Sequence, residues 1–287
     1  MTANDTANDT TRSAVHAMWA GVASHWADHA AYVDDRSAAL NAAMFDRTAL
    51  QPGDRVLELA CGAGGLGLAA AERVAPEGEV LLSDVAAEMV AVAADRASQR
   101  GLANVRTATL DLEDIAQPDE SFDVVLCREG LMFAVDPTRA AGEIHRVLRP
   151  GGRAALAVWG PQEQNPWLGL VFDAVSAQVG APIPPPGIPG PFSLSASSSL
   201  RDVLTEAGLR DVMVEEVSVP VRAASFDEWW HRTRALAGPL ATILGMLPTE
   251  TTDAIAARLR ADVEPYLTAA GLELPGVSLL ASGTKYA

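Results

Sequence analysis

A glycine-rich turn is the first segment of this sequence that could hold a ligand through its backbone. Gly62, Gly64 and Gly67 lie in the run CGAGGLG, directly after the apolar segment RVLELA. Glycine permits sharp turns and lets ligand atoms approach bare N–H groups where a helix begins. The spacing satisfies the dinucleotide pattern GxGxxG, and Asp84 lies twenty residues beyond Gly64, where a ribose ligand belongs. The turn therefore indicates a nucleotide-type cofactor and leaves a nicotinamide dehydrogenase open.

Two further carboxylates separate the possible cofactors. Glu58 lies inside the first predicted strand, where a dinucleotide-binding strand is normally apolar. A buried carboxylate needs a partner, and the ammonium group of a methionine moiety would supply one. Asp111 follows the third predicted strand and could accept a hydrogen bond from an adenine amino group. Together these residues favour S-adenosylmethionine (SAM) over a nicotinamide.

Alternating strands and helices must position these side chains. Short apolar runs predict strands at 55–60, 79–84, 104–110, 122–127 and 153–159. Helical patterns lie between them at 65–74, 86–99 and 137–148. Continuous apolar strands with helical crossovers are typical of a parallel sheet covered on both faces, which is a doubly wound α/β fold. Ligands of such sheets bind at the carboxyl ends of the strands.

The chain is predicted to divide into four parts. These are a polar, disordered N-terminus (1–12), an N-terminal helical cap (13–50), a cofactor-binding core (51–160), and lid insertions with the final core strands (161–287). The cap is expected to hold two helices, the second starting at Asp34 or Asp35. In the last part, the sequence predicts a proline-rich lid at 160–195 and helices at 166–180 and 197–207. It then predicts a strand at 211–223, helices across 226–270, and a final strand at 277–283.

Five segments occur in an order that resembles the successive motifs of class I SAM-dependent methyltransferases. They are VLELACGAGGLG (56–67), LLSDVAAEM (81–89), LDLED (110–114), FDVVLCREGLMF (122–133) and RVLRPGGRAALAVWG (146–160). The sequence is most similar to the ubiquinone/menaquinone-methyltransferase-like branch, which includes many natural-product methyltransferases. The resemblance implies a Rossmann-like seven-stranded sheet with its last strand antiparallel, closed by a helical cap and lid. It also implies SAM as cofactor and S-adenosylhomocysteine (SAH) as product.

The resemblance also implies which residues contact the cofactor. The methionine part would lie against Glu58, Ala60, Gly62, Gly64, Cys127 and Arg128. The ribose and adenine would lie against Asp84, Val85, Met89, Asp111 and Leu112. Three alternatives stay open. Asp84 and Asp111 could cap turns, Met89 could fill the core, and Arg128 could pair with Glu129 or Asp136.

The catalytic group is less clear from the sequence. Many small-molecule enzymes of this branch carry a motif like ESLHHMPD, whereas this chain has EGLMFAVD (129–136), with Met132 and Phe133 at the histidine positions. Glu129 and His231 are therefore the candidate bases for a hydroxyl acceptor. Five aromatic residues could line an apolar acceptor pocket or fill the core of the cap: Trp19, Trp26, Phe133, Trp229 and Trp230.

Composition limits the partners. The chain has 37 acidic and 21 basic residues, a formal charge of −16, which disfavours nucleic acid and anionic membranes. Cys61 and Cys127 show no metal-ligand spacing, and no signal peptide or membrane span is visible, so we expect a cytoplasmic protein without a metal. We expect methyl transfer, preferably to oxygen, on a small apolar or aromatic acceptor in secondary metabolism. The alternatives are a SAM-binding protein with a non-methylating role such as a cyclase, quinone C-methylation, and the dehydrogenase; the oligomeric state is left open.

Overall fold

The N-terminal cap consists of three helices. The computed structural model describes residues 3–185 and 187–287, and the first elements are α1 (Ala3–Asp28), α2 (Ala30–Arg36) and α3 (Ala38–Thr48). The predicted disorder is wrong for residues 3–12, which belong to α1; residues 1–2 lie outside the described part. The predicted second helix start is also wrong, because the breaks fall at His29 and Ser37 and leave Asp34 and Asp35 inside α2. Neither break contains glycine or proline, so no local signal marks it.

The core is a doubly wound α/β domain. Its elements are β1 (Arg55–Leu59), α4 (Gly65–Val74), β2 (Glu79–Asp84), α5 (Ala87–Gln99), β3 (Val105–Thr109), β4 (Phe122–Arg128), α6 (Pro137–Val147), β5 (Leu148–Trp159), β6 (Arg210–Ser218) and β10 (Val277–Thr284). The sheet order is β3-β2-β1-β4-β5-β10-β6, and β10 runs antiparallel to both of its neighbours. The predicted fold class is confirmed.

Residues beyond β5 form the rest of the cap and lid. They contain α7 (Pro166–Val179), α8 (Ser197–Glu206), β7 (Val221–Ala223), α9 (Phe226–Leu236), α10 (Gly238–Met246), α11 (Thr249–Asp262), β8 (Leu267–Thr268) and β9 (Gly271–Leu274). The predicted single strand 211–223 is divided at Pro220, which cannot donate to a ladder. Its second part, β7, joins a small sheet of order β7-β9-β8. The predicted helical stretch 226–270 ends at Asp262, after which a 3₁₀ turn (Glu264–Tyr266) leads into β8 of that sheet.

Among the described residues, two large hydrophobic cores support the site, and a small third cluster lies between α1 and the start of α5. The larger core lies between the seven-stranded sheet and its helices, and the smaller core joins α7, α9, α10 and α11 to the three-stranded sheet. Helix α1 bridges them, since it packs on α5 of the core and on α9 and α10 of the cap. Within the described residues, no helix is long and apolar enough to cross a membrane.

Candidate functional site

The carboxyl ends of β1, β2 and β4 open into a cleft covered by α1. We call it the first cavity; its empty volume is about 900 Å³, open solvent included. Gly62 and Gly64 turn the chain with φ of +53° and +82°, and α4 begins at Gly65. A Cβ at Gly62 would lie 3.2 Å from the Trp26 ring, so the indole closes directly over the turn. The residues that line the cavity include Arg12, His16, Trp19, Trp26, Glu58, Ala60, Gly62, Asp84, Val85, Met89, Asp111, Leu112, Glu113, Arg128, Glu129, Phe133 and Val135.

Glu58 is a buried carboxyl group at the inner end of this cavity. Its residue is 1% exposed, and its Oε2 accepts a hydrogen bond of 2.8 Å from the N–H of Gly67 in the first turn of α4. Burial raises the pKa of Glu58 to about 8, although nearby Arg128 and the Gly67 N–H favour the ionised form. A Cβ at Gly67 would clash with Leu82 and the Glu58 carboxylate, so only glycine permits this close approach. The group is placed to ionise when a cation enters.

Asp84 closes the turn from the end of β2. Its Oδ2 accepts the N–H of Gly62 at 2.9 Å, and its Oδ1 accepts the N–H of Ala86 at 3.0 Å. Burial raises the pKa of Asp84, while the N–H groups of Ala86, Gly62 and Val85 oppose the rise. Each oxygen can accept a further hydrogen bond, because a carboxylate has about four lone-pair sites. Asp84 can therefore bind hydroxyl groups while it holds the glycine turn.

A charge cluster joins α1 to the loop after β3. Arg12 lies 3.3 Å from Asp111 (Nε to Oδ2) and 2.6 Å from Glu113 (Nη2 to Oε2), and His16 Nε2 lies 3.6 Å from the same Asp111 oxygen. Asp111 also accepts the N–H of Glu113 at 2.8 Å, and Glu113 accepts the N–H of Val135 at 2.6 Å. Sequence reasoning missed Arg12, which it placed in a disordered segment, and Glu113, although both line the cavity. The only sequence signal was the acidic run LDLED.

Arg128, the last residue of β4, and Glu129, which follows it, have different partners. Arg128 donates to Asn41 of α3 at 2.7 Å (Nη1 to Oδ1), so the predicted alternatives, pairing with Glu129 or Asp136, are wrong. Asp136 instead caps α6 by accepting the N–H of Arg139. Glu129 has a left-handed φ of +58°, and its Oε1 accepts from Ser278 Oγ at 3.2 Å. The strained backbone directs the Glu129 side chain to a junction between two cavities.

The second cavity lies between that junction and the cap. Its empty volume is about 710 Å³, and it shares four residues with the first cavity: Trp19, Trp26, Glu129 and Phe133. Trp19 and Phe133 meet edge to face with ring centroids 5.0 Å apart. The remaining wall combines aliphatic and aromatic side chains with two arginines: Tyr32, Val33, Arg36, Met132, Trp159, Trp167, Leu168, Phe172, Pro191, Val221, Arg232, Thr233, Leu236 and Ala237. Such a chamber suits a flat apolar molecule with few polar groups.

The residues that α9 contributes to the cavities differ from those that the sequence predicts. Trp229 is fully buried and Trp230 is 7% exposed, and both belong to the smaller core rather than to the lining of either cavity. His231 lies on the exposed face of α9, with its ring 6.2 Å from that of His29, and lines neither cavity. The structure therefore brings neither the two predicted pocket residues, Trp229 and Trp230, nor the candidate base His231 to the lining of these cavities. The face of α9 that meets the cavity carries Arg232 and Thr233 instead.

Most predicted cofactor residues line the first cavity, with two exceptions. Gly64 and Cys127 are adjacent to it but do not line it. The Cys127 thiol is buried, which raises its pKa to about 12 and leaves it unreactive. Met89 is 1% exposed and lines the cavity, so it fills the core and contacts the cavity at once. Among the described residues, no group of three or more His, Cys, Asp or Glu side chains could hold a metal ion.

Comparison with known proteins agrees with this geometry. Residues 50–170 match the family described as "Methyltransferase domain". The ubiquinone/menaquinone biosynthesis C-methyltransferase UbiE of Xanthomonas campestris pv. campestris is 37% identical over 131 residues, 45% of this chain and 51% of that protein. Its counterpart in Azotobacter vinelandii is 40% identical over 125 residues, 43% of this chain and 49% of that protein. The chain thus spans about half the length of the curated relatives it matches.

Two solved structures share the fold over most of the chain. The YcgJ protein from Bacillus subtilis has a TM-score of 0.58 and 23% identity, covering 86% of this chain and 98% of that chain. The [4+2]-cyclase SpnF has a TM-score of 0.55 and 24% identity, covering 86% and 81%. At this identity the likeness concerns the fold alone. Residues 50–170 therefore match a methyltransferase domain and are similar in sequence to the UbiE C-methyltransferases.

Proposed function

We propose that this protein transfers a methyl group from SAM to a small apolar or aromatic acceptor. The observation that carries the proposal is a pair of adjacent cavities that share four lining residues. One has carboxylates at its floor and rim, and the other is largely apolar; the two meet at Trp19, Trp26, Glu129 and Phe133. A group-transfer enzyme needs this arrangement, because two reactants must be held in line and shielded from water.

The first cavity fits SAM on the chemistry of its acidic residues. The buried Glu58 carboxyl group would ionise against the ammonium group, and Asp84 would accept the ribose hydroxyls with its remaining lone pairs. Asp111 and the backbone of Leu112 would bind the adenine edge, and Met89 and Val85 its faces. When bound, SAM supplies a methyl group already activated on a sulfonium sulfur. The chain's own residues then position the acceptor and exclude water.

We propose oxygen as the methylated atom, and a role in secondary metabolism, with quinone C-methylation as the principal alternative. The UbiE relatives are C-methyltransferases of ubiquinone/menaquinone biosynthesis. The aromatic wall of the second cavity is compatible with either acceptor. The proposed location is the cytoplasm, where the unpaired thiols Cys61 and Cys127 would stay reduced.

Calorimetry and labelling test the proposal. SAH should bind with 1:1 stoichiometry, and NAD should show no binding; NAD binding without SAH binding would favour a dehydrogenase and overturn the proposal. Incubation with methyl-labelled SAM and a panel of phenols and hydroquinones should give labelled product, and mass spectrometric fragmentation then assigns the label to oxygen or carbon. As a matched pair, Asp84→Asn should weaken SAH binding, whereas Asp95→Asn on α5, outside the first cavity, should not.

A second candidate function is SAM binding without methyl transfer. Met132 and Phe133 occupy the positions of the family histidines, and the Sδ of Met132 instead accepts the N–H of Trp159 at 3.5 Å. This favours a non-methylating role, such as a cyclisation in the second cavity. Firm SAH binding together with no labelled product from any acceptor would support this candidate over methyl transfer.

A further inference from the structure

Arg36 is a buried cation in the wall of the second cavity with few hydrogen-bond partners. Its side chain is 10% exposed, and its guanidinium lies 5.0 Å from the Trp159 ring centroid and 5.4 Å from that of Trp167. Its Nη2 contacts Glu129 Oε2 at 3.4 Å, beyond the usual range of a charge-assisted hydrogen bond. Its Nε is buried and has no hydrogen-bond partner among the described residues. Because a guanidinium carries five N–H donors, this one retains capacity for an oxygen ligand.

The other arginine of the cavity provides a contrast. Arg232 donates to Glu228 Oε1 at 2.7 Å, and also to the carbonyl oxygen of Arg222. Its guanidinium stacks on Tyr32, 3.5 Å from the ring centroid. Arg232 is thereby committed to holding α9 against α2 and β7, whereas Arg36 is not committed to any comparable set of partners.

Glu129 is better suited to position Arg36 than to take a proton. One of its oxygens accepts from Ser278 and the other faces Arg36. The histidine positions of the family motif hold Met132 and Phe133, which cannot accept a proton from an acceptor hydroxyl. The described residues of this junction therefore present a positive group with spare donors, and no free base.

We propose that Arg36 binds the acceptor oxygen and stabilises it as an oxyanion, so that the acceptor is a phenol-type hydroxyl compound that reacts as its phenolate. The acceptor O–H bond breaks, its electron pair stays on the oxygen, and the proton passes to bulk water; no protein base takes part. A cation within hydrogen-bond reach favours the ionised form of an oxygen acid, and does so most strongly where water is excluded. The indole rings of Trp159 and Trp167 keep the guanidinium in place beside a flat ring. This inference rests on the proposed function, since it assigns the second cavity to the acceptor.

A chromophoric phenol tests the inference without turnover. The probe is 4-nitrophenol, whose phenolate absorbs at longer wavelength than the phenol, titrated with pH while bound to the protein with saturating SAH. The groups facing the probe are Tyr32 and Arg36 on α2, Glu129 after β4 and Arg232 on α9. We expect the bound probe to have a pKa about one unit or more below that of the free probe, a tenfold preference for the phenolate. The analogue 4-nitroanisole, which cannot ionise, should bind with no pH dependence of this kind.

Two variants assign the effect to Arg36. Arg36→Gln should abolish the shift in the pKa of the bound probe, and Arg36→Lys should retain part of it because the charge remains. SAH titration of each variant confirms that the first cavity is intact. An unshifted probe in the wild-type protein, no binding of the probe beside bound SAH, or an unchanged shift in Arg36→Gln would each overturn the inference. Failure of SAH itself to bind would instead overturn the proposed function, so the two failures are distinguishable.

Discussion

The protonation of Glu58 should make cofactor binding strongly dependent on pH. With its pKa raised by burial to about 8, this carboxyl group is mostly neutral at pH 6 to 7 in the ligand-free protein. An ammonium group favours the ionised form, so its binding requires Glu58 to lose a proton. Between pH 6 and pH 8, we expect the affinity for SAH to rise roughly 25- to 50-fold, about 2 kcal/mol, because about half of the Glu58 carboxyl groups are ionised at pH 8. Above about pH 8 the rise should stop, because the ligand's own α-amino group then loses its charge.

Calorimetry at several pH values measures this rise, and at pH 6.5 it should detect release of close to one proton when buffers of different ionisation enthalpy are compared. Glu58→Gln should weaken SAH binding at pH 8 and remove most of the slope. Glu88→Gln alters an exposed carboxylate on α5 and should leave the slope unchanged. The same pKa makes the ligand-free protein lose stability as the pH rises from about 4.5 to about 8, because the unfolded chain releases the Glu58 proton first. A pH-independent affinity in the wild-type protein, or an equal slope in Glu58→Gln, would refute the reasoning.

Three further outcomes follow from packing. Gly67→Ala should lower both stability and SAH affinity, because the added methyl group would displace the Glu58 carboxylate. The control Gly142→Ala on α6 adds a methyl group that meets no atom within 4 Å, and it should stabilise the protein by about 0.5–1 kcal/mol. Thermal unfolding measures the stability of both variants, and calorimetry measures their SAH affinity. His231→Ala should leave SAH affinity and any methyl transfer within roughly twofold, as for most surface changes, and a larger loss would return it to the candidate bases. Trp229→Ala should cost about 3–5 kcal/mol in denaturant unfolding because it removes a fully buried side chain, and a cost below 1 kcal/mol would contradict its place in the cap core.

The sheet domain could be predicted because its signals are local. The strand 79–84 and the helix 65–74 were predicted with the bounds that the structure has. Apolar runs report burial directly, and the glycines report where the backbone must turn. The cap was predicted less well, since its two helix breaks and the separation of β7 from β6 depend on packing. In the sequence, Pro220 marks the separation of β7 from β6, but no local pattern predicts the small sheet that β7 joins.

In the candidate site, too, residues near the ends of strands could be predicted from the sequence, whereas residues on helices could not. Nine of the eleven predicted cofactor residues line the first cavity, because they lie in or close to the carboxyl ends of β1 to β4 and the segments that follow these strands. The helical residues could not be assigned in this way. Trp229, Trp230 and His231 are neighbours on one helix, and only docking decides which of them faces a core, a cavity or water. No local sequence pattern marked Arg36 as a site residue, since its proposed role depends on contact with Glu129, which lies 93 residues away in the sequence.

The sequence by itself determined the fold of residues 51–160 and the acidic, glycine-lined character of the cofactor site, because short-range patterns of apolar, glycine and carboxylate residues encode them. Only the tertiary structure decided what surrounds the second cavity. It brought α1, α2, β4, β5 and α9 together around Glu129 and Arg36, and it buried Glu58 deeply enough to shift its proton equilibrium. Burial and charge contact between distant segments are properties of packing, and no local pattern in the chain specifies them.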